Sequence, residues 1–197
     1  MATQARTRAR HERILDAALA VFSSRGYRDA SVEDVATAAE TSKGGVYFHF
    51  PGKQAIFLAL LDRSSRLLLS RIAESVEDER DPVAKVDAAL LAFLKAFASH
   101  RQLARLFLVE AWGAGPEFHA KMRQVHGEFA AFIQRNLEEA ARRGTIPPLD
   151  AELASVAWFG ALNQVVTRWI LSERSEPIED SYPELRALLL RSVGVEP

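Results

Sequence analysis

After Thr41 the chain places five hydrogen-bond donors on one short stretch, residues 42–53, of the run TSKGGVYFHFPGK. They are Ser42, Lys43, Tyr47, His49 and Lys53. Phosphate oxygens are acceptors, and side chains of these types are the ones that bind them. Gly44 and Gly45 sit among the donors. Each glycine costs a helix about 1 kcal/mol, so close approach of the backbone to another surface is the natural reason for two of them. Val46 and Phe50 fall where they would point back into a small core. Each donor alone has a bland alternative: a packed tyrosine, a solvated histidine, a lysine exposed near a helix start. Their joint occurrence on one element favours recognition of a nucleic-acid backbone, with base edges within reach of Lys43 and the glycine pair.

The flanking pattern supplies a scaffold for that stretch. Ser31 and Asp34 approximate a capping box, with Glu33 adding negative charge at the positive helix end. Val32, Val35, Ala36 and Ala39 give a helix over 31–39 its inner face. Glu40-Thr41 forms the turn, and Ser42 caps a third helix over about 43–49. Phe50-Pro51-Gly52 ends it, because proline pushes its predecessor out of the helical region. Two short helices joined by a tight turn fit a helix-turn-helix, whose second helix would be the reader. A first helix over 8–25 carries Ile14, Ala18, Val21 and Phe22 on one stripe and stops at Gly26. Arg6, Arg8, Arg10 and Arg13 crowd its start against Glu12 alone. They form either a phosphate-binding arm or a frayed, solvated terminus.

Downstream, everything reads helical. A long helix over 53–77, roughly 35–40 Å at 1.5 Å per residue, would link the small module to the remainder. Further helices are predicted over 83–99, 102–112, 116–143, 150–171 and 182–193. The fold class is therefore all-α: a three-helix helix-turn-helix domain, 1–52, and a larger antiparallel bundle, 53–197, with about nine helices in all. Aromatics concentrate in the bundle: Phe93, Phe97, Phe107, Trp112, Phe118, Phe129, Phe132, Trp158, Phe159 and Trp169. They can be plain core, or walls of a cavity between helices. Glu110, His126 and Asn163-Gln164 interrupt apolar runs and need partners if buried.

Composition bounds the function. The 197 residues carry a net charge of −1 and no cysteine, which removes disulfides, thiolate metal sites and cysteine nucleophiles. Residues 1–60 hold 8 Lys/Arg against 6 Asp/Glu, a net of +2 on the module that would meet DNA. No apolar run reaches the ~20 residues of a membrane span, and no signal-peptide pattern precedes the first helix, so a cytoplasmic protein without membrane association is expected. The five histidines are scattered. No catalytic motif accompanies them, so the chain does not read as an enzyme, and no metal or cofactor is expected.

The run RILDAALAVFSSRGYRDASVEDVATAAETSKGGVYFHFPGKQAIF, residues 13–57, resembles the TetR family of bacterial transcriptional regulators. That resemblance implies a homodimer that reads a palindromic double-stranded operator as a repressor. It implies that Ser31, Ser42, Lys43, Gly44, Gly45, Tyr47, His49 and Lys53 face DNA, with Ser31, Tyr47 and Lys53 mostly on phosphates. Glu40-Thr41 departs from the family, which usually has Gly-Val there. Glutamate is disfavoured at positive φ, so the turn either differs or holds Glu40 away from DNA.

The stretches EAWGAGPEFHAKM (110–122) and GTIPPLDAELASVAWFGALNQVVTRW (144–169) are similar to a TetR subgroup that responds to acyl-coenzyme A and represses fatty-acid degradation genes. The resemblance implies an apolar or long-chain acyl-CoA effector. Candidate ligand residues are Phe93, Phe97, Phe107, Glu110, Phe118, Met122, His126, Phe129, Trp158 and Asn163, with Arg101, Arg105, Lys121 and Arg123 as candidates for the coenzyme head. It also implies dimerisation through the last two helices. Two alternatives stand beside it: a multidrug-efflux repressor induced by aromatic or lipophilic compounds, and a DNA-binding protein with a solid core and no effector.

Overall fold

Four of the short polar residues that precede apolar runs cap helices in the computed structural model, which describes residues 2–109, 115–172 and 176–196. Ser31 accepts from the Asp34 amide while the Asp34 carboxylate accepts from the Ser31 amide, a complete capping box. Ser42, Asp81 and Asp150 accept in turn from the amides of Gly45, Ala84 and Leu153. Each satisfies an amide that the first helical turn would leave unpaired.

The elements follow as α1 (Ala2–Asp29), α2 (Val32–Ala38), α3 (Lys43–Tyr47), α4 (Lys53–Glu77), α5 (Pro82–Ser99), α6 (Arg101–Leu108), α7 (Pro116–Arg142), α8 (Ala151–Leu171) and α9 (Tyr182–Ser192), with a 3-10 turn at Ile178–Ser181 before α9. No strand occurs among the described residues. The all-α expectation and the helix order hold. α1 starts earlier than its apolar stripe, and its helical path breaks at Gly26 (φ 78, ψ 164), the predicted stop. α3 ends two residues sooner than predicted, at Tyr47. Among the described residues no helix is long and apolar enough to cross a membrane.

The chain divides into two compact units, Met1–Ser64 with Gln102–Lys121, and Ser65–Arg101 with Met122–Pro197. In the first, Ile14, Leu15 and Phe22 of α1, Val35 of α2, Val46 of α3 and Ile56, Phe57 and Leu60 of α4 are buried. Phe57 is the hub. Its ring centroid lies 5.6 Å from Phe22, 4.5 Å from Tyr27, 5.5 Å from Phe107 and 5.4 Å from Phe118. A fully buried side chain of this kind contributes about 1.5–3 kcal/mol, so this cluster fixes the frame on which α2 and α3 stand.

In the second unit, Leu90, Phe93 and Leu94 of α5, Val166 and Ile170 of α8 and Leu185, Leu189 and Leu190 of α9 are buried. The Arg186 Nε donates to Asp87 at 2.6 Å, joining α9 to α5. The Arg101 guanidinium donates to the carbonyls of Trp169 and Ser172 and lies 4.4 Å from the Trp169 ring centroid. Those carbonyls lie where the helical partners of α8 run out; Trp169 O also accepts from the Ser172 amide and hydroxyl, at 3.3 and 3.0 Å, and Arg101 completes the cap.

Candidate nucleic-acid interface and ligand cavity

The turn between α2 and α3 keeps the geometry that its sequence strains. Glu40 stands at φ 49, among the described residues the only one other than glycine with positive φ. The Glu40 amide donates to Thr37 O at 3.1 Å and the Thr41 amide to Ala36 O at 3.0 Å. This is the Schellman pattern, with Glu40 in the left-handed position that glycine ordinarily fills. Glu40 accepts the strained conformation, at a cost of about 1–2 kcal/mol. Thr41 has its own consequence. A Cβ at Gly45 would sit 2.6 Å from Thr41 Oγ1, so Gly45 fits the turn. A Cβ at Gly44 would meet nothing nearer than Ser42 Oγ at 3.9 Å. Nothing inside the fold excludes a side chain from position 44.

Along α3 and its C-terminal end, Val46 and Phe50 are buried, whereas Ser42, Lys43, Gly44, Tyr47 and Phe48 are exposed. Lys43 is ion-paired with Glu33 across the two helices and lies 5.9 Å from the Tyr47 ring centroid. The hydrogen bond to Lys43 holds the Glu33 carboxyl below its ordinary range. Both partners are more than half exposed, and exposed pairs of this kind bind weakly, so Lys43 is free to swing to a phosphate or base. His49 is half-buried, its ring centroid 6.0 Å from that of His11. Burial, then His11 and Arg10, push its pKa down. At neutral pH it is an uncharged donor rather than a cation.

Two other candidates have local duties. Ser31 spends its one O–H on the Asp34 carboxylate at 2.7 Å. Lys53 spends all three N–H groups on carbonyls, those of Tyr27, Arg28 and Ala30, at 2.8, 3.0 and 2.9 Å. Its ammonium also lies 4.7 Å from the Tyr27 ring centroid. Lys53 thus ties the chain leaving α1 to the first turn of α4.

The second unit holds a partly open cavity of about 360 Å3. Its wall is built by Ile72 and Val76 of α4, Leu90 and Phe93 of α5, Phe129, Phe132 and Ile133 of α7, Trp158, Phe159 and Leu162 of α8, and Leu189 and Leu190 of α9. Its polar groups come from two places, the start of α5 (Arg80, Asp81, Lys85) and the end of α7 (Asn136, Glu139, Arg143, Thr145). Glu139 accepts from Arg143 Nε at 2.6 Å and pairs with Arg142; these arginines hold its carboxyl below the ordinary range. Apolar walls with a few convergent polar groups are the usual form of a small-molecule site.

Of the predicted ligand residues, Phe93, Phe129 and Trp158 line this cavity. Phe97 packs on Phe93, and His126 on the wall residue Phe159, with ring centroids 4.7 and 4.9 Å apart. Met122 is buried and Asn163 half-buried in the same unit, but neither joins the wall. Phe107 and Phe118 belong to the Phe57 cluster of the other unit. Glu110 and Trp112 lie outside the described residues. Arg101 is committed to the end of α8, and Lys121 to an ion pair with Asp62. Neither lines the cavity, whose basic groups are Arg80, Lys85 and Arg143.

The pattern described as "Bacterial regulatory proteins, tetR family" matches residues 14–60, and "Tetracyclin repressor-like, C-terminal domain" matches residues 79–173. The HTH-type transcriptional regulator TtgR of Pseudomonas putida is 31% identical over 168 residues, 80% of this chain and 79% of TtgR. The chain belongs to the TetR family. It is a transcriptional regulator and not an enzyme. This TetR-family chain is 23% identical to the fatty acid metabolism regulator protein of Bacillus subtilis (strain 168) over 168 residues, 85% of this chain and 87% of that protein. The crystal structure of the regulator FadR from Bacillus subtilis in complex with stearoyl-CoA has the same fold, with a TM-score of 0.83 at 22% identity, covering 93% of this chain and 97% of that one.

Sequence reasoning missed three features. The 77% exposed Phe48 has a signal, an aromatic off the buried face of a short helix. The tether made by Lys53 has none, because its acceptors are backbone carbonyls more than 20 residues away. The cavity walls from α4 and α9 read as ordinary aliphatic core.

Proposed function

We propose that this TetR-family regulator is a homodimeric repressor that reads a palindromic operator with α3 and releases it when an amphipathic effector of the long-chain acyl-CoA class fills the cavity. The observation that carries the effector part is the cavity of about 360 Å3, apolar along five helices and polar only at the start of α5 and the end of α7. A partly open, mostly apolar cavity of this kind is the usual form of a small-molecule site. An acyl chain matches the aliphatic and aromatic walls. Arg80 and Lys85 match an anionic head. The similarity to a fatty acid metabolism regulator, and the stearoyl-CoA in the FadR structure of like fold, support the same class.

Dimerisation through α8 and α9 is supported by what those helices leave in water. Leu153 (66%), Val156 (58%) and Leu171 (57%) of α8 and Leu188 (57%) of α9 are large apolar side chains without cover. A two-fold pair would set its reading helices about one DNA turn, ~34–36 Å, apart. For release, the effector must bind the DNA-incompetent arrangement more tightly than the competent one.

Thermal shift tests the effector directly, since a ligand that binds only the folded protein raises its Tm. Long-chain acyl-CoA should raise the Tm of the wild-type protein and not that of Leu162→Trp, which fills the cavity. No shift with any chain length, or an equal shift in the filled variant, would remove acyl-CoA as the effector. A shift produced only by planar aromatic compounds would replace it with a different ligand class.

A further inference from the structure

Phe48 is 77% exposed, whereas Phe50, two residues on, is 4% exposed. Its position on the helix says why that matters. At about 100° per residue, Gly44 and Phe48 both lie about 160° around the axis from the buried Val46. They form the ridge directly opposite the core. At Gly44 this ridge carries no side chain, and a Cβ there would meet only Ser42 Oγ, at 3.9 Å. The ridge is therefore low at 44 and crested at 48, and the crest is an apolar ring. The His49 ring stands edge-on to it at 5.2 Å, and no buried cluster claims it. Next to it on α3 the exposed Tyr47 has the Lys43 ammonium 5.9 Å from its ring centroid. An apolar crest beside a cationic donor suits a groove floor beside a phosphate backbone.

We propose that Phe48 is a specificity-determining residue, whose ring packs against the C5-methyl of a thymine in the major groove. This rests on the reading of α3 as the DNA-reading helix. The major groove offers hydrogen-bonding atoms on every base pair but only one prominent apolar group, the thymine methyl. A phenylalanine has no hydrogen bond to give, so what it recognises there is that methyl. Lys43 and Tyr47 then hold the backbone and set register, while Phe48 favours T·A over other pairs at one position in each half-site.

The test uses the full-length protein. Duplexes that it binds are selected from a random library, and each thymine of the selected site is replaced in turn by deoxyuridine, which removes the methyl alone. Affinities are compared at one fixed salt concentration for wild type, Phe48→Ala and Phe48→Leu. In wild type, deoxyuridine at one such position in a single half-site should weaken binding about fourfold, the worth of one buried methyl group. Phe48→Ala should bind the thymine site more weakly and lose the distinction between thymine and deoxyuridine there, while Phe48→Leu should keep part of it. Because the side chain is exposed, both variants should melt with the wild-type protein. The inference fails if no thymine position loses its methyl dependence in Phe48→Ala. It fails equally if Phe48→Ala binds as wild type does, which would give the ring to a protein partner or a second copy of the chain, or if it weakens selected and random DNA alike, which would place the ring on the sugar-phosphate backbone. If selection yields no preferred duplex at all, the DNA-reading assignment of α3 itself falls, a result distinct from these.

Discussion

Glu40 and Lys53 show how single residues set the geometry of the reading module. Glu40 holds a left-handed backbone, φ 49, in the turn between α2 and α3. Glu40→Gly should relieve that conformation and stabilise the protein by about 1 kcal/mol. Chemical denaturation would show this as a higher midpoint with an unchanged slope; an unchanged midpoint would mean the turn is unstrained. Lys53 shows the converse, a residue whose type suggests one role and whose partners give another. Its ammonium is spent on three carbonyls, so Lys53→Met should cost about 2 kcal/mol of stability and leave the salt dependence of DNA binding unchanged. Lys43→Met should do the opposite, leaving stability intact and reducing the slope of log affinity against log salt by ~1. Equal slopes for Lys43→Met and wild type would remove Lys43 from the phosphates. Residue types were enough to find the donors on α3. They were not enough to separate a lysine that faces solvent from one that closes a loop, because that difference lies in backbone carbonyls that carry no sequence signature.

At the scale of elements, caps and periodicity carried most of the information. Ser31 with Asp34, Ser42, Asp81 and Asp150 mark four helix starts, and each caps as its type suggests. What stayed hidden is which apolar residues pack and which line space. Phe107 and Phe129 sit in similar local patterns, yet Phe107 packs on Phe57 while Phe129 lines the cavity. The choice is made by which helices meet, not by the residue or its neighbours in sequence. His126 on α7 shows a second consequence of packing between elements. Its ring lies against Phe159 of α8, its Nε2 is buried without a hydrogen-bond partner, and burial pushes its pKa below the ordinary value. A histidine held low in the folded state binds its proton more readily when unfolded. Its contribution to stability is thus complete above the ordinary value near 6.5 and is lost as pH falls through that value toward the lower folded one. The melting temperature should fall between about pH 7 and pH 5. The fall should be shallower in His126→Phe, with a remainder from His49, which is shifted in the same direction. An identical pH profile in His126→Phe would mean that the imidazole titrates freely.

For the whole molecule, the proposed function pairs the DNA-binding module of a TetR-family chain with a cavity whose filling would release the operator. The dimer is the first requirement. Val156 and Leu188 are 58% and 57% exposed, so the double substitution Val156→Glu/Leu188→Glu should leave the fold intact and halve the mass seen by light scattering. A variant that keeps the wild-type mass would place the interface elsewhere. The division of labour was legible from sequence, because the donors cluster before Lys53 and the aromatics after Phe93. The polar lining of the cavity was not, since Arg80 and Lys85 belong to the start of α5 and Arg143 to the end of α7, far apart in sequence. Whether filling this cavity releases DNA is decided by fluorescence anisotropy of a labelled operator duplex bound to the protein and titrated with a long-chain acyl-CoA. Anisotropy should fall to that of free DNA for wild type and stay high for Leu162→Trp at the same ligand concentrations. A complex that persists through saturation of the wild-type cavity, with binding shown in parallel by thermal shift, would refute the coupling.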